Sequence, residues 1–177
     1  MTKHNILLDL DQTLIASEQV AEFKKDPNRD MYMKTYEFDV MPNAYIIFAR
    51  PHLQEFLDFL FKNFNVSVWT AASREYAIFI IEKFILIKPD RKLDFFFYSY
   101  HTNLAMKESK KIKDLTMIWK KFNLKNYNSN NTYIIDDNDD VYNAQQKNTI
   151  KIIPFEYTDS GKDRELGRIT KLLQKLI

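Results

Sequence analysis

The sequence predicts an α/β fold built on a mostly parallel sheet, and three observations predict it. Short runs of Ile, Val, Leu and aromatic residues recur at 6–8, 66–70, 95–100, 133–135 and 150–153, separated by segments with helical spacing. Strands that alternate with helices imply right-handed crossovers and a sheet covered on both faces. Several of these runs also end in polar groups that packing does not ask for: Asp9 with Asp11, Thr70, and Asp136 with Asp137. In such sheets ligands bind beyond the carboxyl ends of the strands, so these three strand ends mark the expected site.

The first strand, Ile6-Leu7-Leu8, is apolar on both faces, as a buried parallel strand must be, and it runs into Asp9-Leu10-Asp11. Residues 15–30 read as polar and irregular. Tyr36, Phe38 and Val40 alternate with Glu37 and Asp39, and Met41-Pro42-Asn43 turns into residues 44–49, predicting a β-hairpin that projects near the end of the first strand. Pro51 suits a first helical position, and Leu53, Phe56, Leu57, Leu60, Phe61 and Phe64 follow on one apolar face.

Residues 66–70 form the second parallel strand, and Ser73 is the expected N-cap of a helix over 74–87, with Glu75 in its first turn. Lys88-Pro89-Asp90 breaks that helix. The aromatic run 95–100 reads as a strand, and a lysine-rich stretch leads to a helix over 114–122. Residues 133–135 are a buried strand, 141–147 a helix and 150–153 the last strand. Leu166, Ile169, Leu172, Leu173 and Leu176 mark a closing amphipathic helix.

A chain of 177 residues, 45% hydrophobic, can bury one core, and a single domain over 1–177 is expected. With 26 basic and 24 acidic residues the net charge is +2, so the total carries no strong signal for a polyanionic partner. The absence of cysteine excludes a disulfide framework and zinc–thiolate chemistry. His4, His52 and His101 have no metal-ligand spacing. No window approaches the apolar length of a membrane span, and the chain reaches its acidic strand too soon for a removable signal peptide. The expectation is an intracellular protein, cytoplasmic or nuclear, neither secreted nor membrane-bound.

Side chains at i and i+2 of a strand point the same way, so Asp9 and Asp11 converge on one bound group. Two such carboxylates can supply a nucleophile, an acid/base and a seat for a hard cation such as Mg²⁺. With Asp136 and Asp137 the pocket would hold four carboxylates, which cannot all stay ionised without a counter-charge. A bound Mg²⁺ resolves that repulsion and leaves room for a phosphoryl oxygen. Thr70 and one of Lys107, Lys110, Lys111 and Lys113 could hold the remaining phosphate oxygens.

These residues also carry a resemblance. Asp9-Leu10-Asp11-Gln12-Thr13-Leu14, with Ser17 shortly after, resembles the D-x-D-x-T signature of the haloacid dehalogenase (HAD) superfamily. Arg50-Pro51-His52-Leu53-Gln54-Glu55-Phe56-Leu57 is similar to a helix start of its small FCP/SCP-type (NLI-interacting-factor-like) carboxy-terminal-domain phosphatases. So is Val68-Trp69-Thr70-Ala71-Ala72 with Tyr76, and so are Lys113-Asp114-Leu115-Thr116 and Ile134-Ile135-Asp136-Asp137 followed by Asn148-Thr149-Ile150. The motifs span about the whole chain in the family's order, which is more specific than any one of them.

The resemblance implies a HAD-like three-layer Rossmannoid fold with a β-hairpin flap after the first strand and a small insertion in place of a large cap. It implies a phosphatase in which Asp9 attacks phosphorus and Asp11 protonates the leaving oxygen, then activates water. Asp9, Asp137 and the Asp11 carbonyl would bind Mg²⁺, Asp136 would orient metal-bound water, and Thr70 with Lys113 would neutralise the phosphoryl group. Tyr76 falls where the family has an aromatic residue that contacts a substrate proline. The hairpin at 34–49 and an insert at 88–103 would frame the pocket entrance for a phosphoserine or phosphothreonine peptide, such as a repetitive RNA polymerase II tail. Two alternatives stay open: a nucleic-acid-end or small-metabolite phosphatase, for which Lys107, Lys110, Lys111, Lys120 and Lys121 would supply the basic groove, and a silent phosphoprotein-binding scaffold.

Overall fold

Ile6, Leu7 and Leu8 are fully buried because β1 (Asn5–Leu8) takes the centre of a sheet covered on both sides. The computed structural model describes residues 3–159 and 161–177. β1 pairs in parallel with β5 (Asn65–Trp69) and β7 (Thr132–Asp136). β6 (Phe96–Phe97) and β8 (Thr149–Lys151) take the edges, giving the order β6-β5-β1-β7-β8. Alternate side chains serve opposite faces. Ile6, Leu8, Val66, Val68 and Ile135 share a core with α3 (Leu53–Asn63) and α8 (Glu165–Leu173). Leu7, Trp69, Phe97 and Ile134 pack with α5 (Ser99–Ser109), α6 (Thr116–Lys120) and α7 (Asp139–Ala144) on the other side. The predicted three-layer α/β architecture is present.

The predicted hairpin is also present, as β3 (Phe38–Met41) and β4 (Tyr45–Ala49), but it belongs to a larger unit. Residues 15–30, expected to be irregular, contribute β2 (Ile15–Gln19), which pairs antiparallel with β4 to give the order β2-β4-β3. Two short helices, α1 (Val20–Phe23) and α2 (Arg29–Thr35), follow it. Glu18 and Gln19 hid this strand. Its polar outer positions break the apolar run, and its pairing partner lies some thirty residues away, where local propensity carries no information.

Other boundaries moved for local reasons. The strand expected over 95–100 keeps only Phe96 and Phe97, because α5 begins at Ser99 and the Tyr98 amide donates to His101 Nδ1 at 3.2 Å. The helix expected over 74–87 is α4 (Arg74–Ile80) continued by a π-helical turn over Ile81–Ile85. Pro51 precedes rather than opens α3, whose N-cap is His52 in a left-handed conformation (φ 67°). The helices expected over 114–122 and 141–147 are the shorter α6 and α7, and the last strand is Thr149–Lys151. Among the described residues, no helix is long and apolar enough to cross a membrane.

Candidate active site

The chain leaves β1 at Asp9, whose amide still pairs with the Ile135 carbonyl at 3.1 Å, so Asp9 stands at the sheet's carboxyl edge. The turn that follows is tight. The Leu10 carbonyl accepts from the amides of Thr13, Leu14 and Ile15, and Gln12 takes a left-handed φ of 60° without being glycine. Two outside contacts hold that strained turn. The Phe155 amide donates to the Gln12 carbonyl at 2.7 Å, and the fully buried Arg50 donates to the Thr13 carbonyl at 3.0 Å. Arg50 is itself fixed by two bonds to Asp163, at 2.9 and 2.8 Å, and one to the Ile153 carbonyl.

Lys113 arrives from the loop between α5 and α6, on the far side of the sheet. Its ammonium donates to Asp9 Oδ1 at 2.6 Å and to Asp136 Oδ2 at 2.7 Å, with all three side chains buried. Gln145 pins that loop, donating to the Lys113 carbonyl at 2.6 Å and accepting from the Leu115 amide. Thr13 donates to Asp9 Oδ2 at 3.0 Å, with Asp137 Oδ1 at 3.3 Å. Thr70 follows β5. Its Oγ1 accepts from the Ala72 amide, which leaves its own proton available to a ligand. Asp9, Asp11, Thr70, Lys113, Asp136 and Asp137 therefore line one cavity of about 180 Å³, together with Gln12, Ala71, Ala72, Ile112 and Asn138.

The electrostatics are those of a site short of positive charge. Burial raises the pKa of Asp11 to about 6, with Asp9 adding to the effect and a hydrogen bond from Tyr76 opposing it. Burial and the charge of Asp9 likewise push Asp136 and Asp137 up. Burial works against the Lys113 ammonium, yet Asp9 and Asp136 outweigh it and hold its pKa above the usual value. One ammonium cannot balance four carboxylates. Asp9, Asp136 and Asp137 each offer a carboxylate oxygen within 4.8 Å of the others, an all-oxygen donor set that suits a hard divalent cation.

Tyr76, expected at the substrate surface, is buried. Its hydroxyl lies 2.6 Å from Asp11 Oδ1 and 2.8 Å from Ser17 Oγ, and its ring meets Tyr45 edge-on. Asp11, Ser17, Tyr45, Ala72, Ser73 and Tyr76 line a second cavity of about 300 Å³ beside the first. Residues 88–103 supply an edge strand and the start of α5, and the Ser99 amide donates at 2.8 Å to the carbonyl of Ala72, a residue that lines both cavities. A larger cavity of about 460 Å³ lies behind Arg50 and Gly161, away from the acids.

Comparison with known proteins agrees with this geometry. Residues 4–177 match the model of the NLI interacting factor-like phosphatases. The chain belongs to that family. It is 41% identical over 177 residues to the CTD phosphatase-like protein 355R of Invertebrate iridescent virus 6, covering 97% of each chain. It is 42% identical to the protein of the same name from Invertebrate iridescent virus 3, covering 97% of this chain and 96% of the relative. Among solved structures it superposes on Fcp1, described as an essential RNA polymerase II CTD phosphatase, with a TM-score of 0.69 at 20% identity. That match covers 98% of this chain and 62% of the other and speaks to the fold. An NLI interacting factor-like phosphatase is a phosphoric monoester hydrolase of the HAD type, as the motifs implied.

Three contributors to the site escaped the sequence reading. Thr13 was visible as the last letter of the signature, but nothing there said that it would bridge Asp9 and Asp137. Arg50 stood at the head of a motif without a role. Gln145 carried no local signal at all, because its contact to the Lys113 loop spans 32 residues.

Proposed function

We propose that this phosphatase hydrolyses phosphoserine or phosphothreonine in a protein segment, with Mg²⁺, through an aspartyl-phosphate on Asp9. The observation that carries the reading is Lys113, which bridges Asp9 and Asp136 in a small cavity that also admits Thr70 and Asp11. The Asp9 carboxylate attacks phosphorus while the bond to the leaving oxygen breaks, and that oxygen takes the proton of Asp11. Asp11, now ionised, accepts a proton from water as the water attacks the acyl phosphate, which releases phosphate and restores Asp9. The Thr70 hydroxyl and Lys113 donate to the phosphoryl oxygens throughout.

Asp9, Asp137 and the Asp11 backbone carbonyl would hold Mg²⁺, with Asp136 orienting its water. When bound, the ion neutralises charge on the phosphoryl oxygens. A cavity of about 180 Å³ fits a phosphoryl group, with the rest of the substrate lying outside it. The names of the relatives favour a phosphorylated protein tail.

The test is a panel of Ser-Pro and Thr-Pro phosphopeptides, 3′-phosphorylated oligonucleotides and small phosphate esters, each with Mg²⁺ and with EDTA. Turnover of the peptides that is best in the panel and lost in EDTA is expected. Preference for the oligonucleotides would replace the substrate assignment, and full activity in EDTA would remove the metal.

A further inference from the structure

We infer that Tyr76 is a positioning residue that aims the Asp11 carboxyl at the leaving oxygen, with Ser17 holding Tyr76 in turn. This rests on the reading of Asp11 as the acid/base. A phenol has one proton. Given to Asp11 Oδ1 across 2.6 Å, it leaves the phenolic oxygen to accept from Ser17, 2.8 Å away. Asp11 then has Oδ2 free for proton transfer, and its rotation is fixed by a ring that is itself packed.

Each support is rigid. Ser17 sits mid-strand in β2, opposite Ile47. Tyr76 lies in the first turn of α4, where Ser73 Oγ accepts its amide at 3.3 Å. It follows the turn in which Thr70 Oγ1 accepts the Ala72 amide, so the turn that presents Thr70 to phosphate also sets the height of Tyr76. A buried tyrosine needs only some acceptor for its proton. Here the acceptor is the one carboxylate that lines both cavities, with Asp9, Thr70 and Lys113 on one side and Tyr76 on the other.

A residue that only packs would alter all substrates alike. One that aims a general acid matters most when the leaving group needs a proton. The experiment measures kcat/KM, which stops at departure of the leaving group, for phenyl phosphates graded from 4-nitro to unsubstituted. Wild type should depend weakly on the phenol. In Tyr76→Phe the ratio of phenyl to 4-nitrophenyl phosphate should fall about tenfold, an alignment loss within the range of general acid catalysis. Inhibition by inorganic phosphate should stay unchanged. Ser17→Ala should move the ratio the same way by less, and Ser17→Thr should restore it. If Tyr76→Phe does not fold, Ser17→Ala carries the test.

An equal loss across the series, or no loss, overturns the proposal while leaving the phosphatase reading intact. Wild-type turnover by Asp9→Asn would instead overturn the reading beneath it.

Discussion

The acid-lined end of the central sheet and the aromatic lobe beneath the second sheet are both buried, but they are held in opposite ways. In the lobe, Phe23, Tyr32, Tyr36, Phe48, Phe155 and Tyr157 pack ring against ring, and none of them is itself charged. At the sheet end, two buried carboxylates share one buried ammonium, and two more acids stand beside them. Rings stabilise simply by leaving water. Burial of the acids works against the fold, so this region does not gain stability from its charges as the lobe does from its rings. Stability and activity should therefore respond in opposite senses to substitution in the two regions.

The largest effect is expected from Asp9→Asn. With Asp9 as the proposed nucleophile, its loss should lower kcat on an aryl phosphate by at least about 10⁴-fold, the scale seen when a covalent nucleophile is removed. The fold should not suffer. Lys113 keeps Asp136 as a partner, and one of two mutually repelling charges is gone. Thermal melts of the metal-free protein should give a midpoint equal to or above wild type. A clear drop would mean that the acid pair stabilises the fold and that the contrast is false.

Phe48→Ala probes the other region. Phe48 is fully buried and contacts Phe23, Tyr36, Phe38 and Tyr157, the last stacked at 4.8 Å. Truncation should cost about 3–5 kcal/mol, as removal of a core phenylalanine usually does. Urea unfolding would measure that loss. The kcat of the protein still folded at low temperature should stay within about twofold of wild type, since no ring of the lobe touches the acids.

How far each region could be read from the sequence follows from the same contrast. The central strands were legible because burial on both faces makes them continuous apolar runs, and acids at their ends stand out against that background. Asp9, Thr70 and Asp136 were found this way, Lys113 was singled out from its neighbouring lysines by the family resemblance, and the structure brings all four together. The lobe was not legible. Phe155 and Tyr157 come from an irregular stretch after β8 and pack on Tyr36 and Phe48, more than a hundred residues earlier. The β2 strand that covers the lobe has only Ile15 and Ala16 well buried. Tyr76 was seen, but not its bond to Asp11, since spacing says that an aromatic sits on a helix and not which way its hydroxyl turns.

Arg50 joins the two regions, so its substitution sharpens the comparison. Its guanidinium lies 5.5 Å from the centre of the Phe155 ring and also donates to the Thr13 carbonyl of the turn after Asp9. Lysine offers a point charge in place of a planar fork and would leave Asp163 or a carbonyl unpaired. Arg50→Lys should cost about 2–3 kcal/mol, the scale of one or two unsatisfied buried groups. It should also lower kcat about tenfold by loosening the turn. Losing stability with kcat intact would show that the Gln12 turn holds its shape without Arg50.

The smallest effect lies outside both regions, at His101. Its ring stacks on Phe97 at 4.1 Å, and its Nδ1 accepts the Tyr98 amide at the start of α5. Burial holds its pKa below the usual 6.5. Well above pH 6.5 the ring is neutral in folded and unfolded chains alike, so the contact contributes in full. As the pH falls below 6.5, the unfolded chain takes a proton before the folded one does, and stability declines. Once protonated, the ring has no lone pair left at Nδ1 for the Tyr98 amide. His101→Gln keeps an acceptor at this position of the helix start but cannot titrate. The gap in unfolding free energy between wild type and His101→Gln should therefore shrink from about pH 7.5 to about pH 5.5, around the ordinary titration range of histidine. The acids of the site titrate in both proteins and cancel from that difference. A gap that stays constant would mean that the ring is solvated and the stacking incidental.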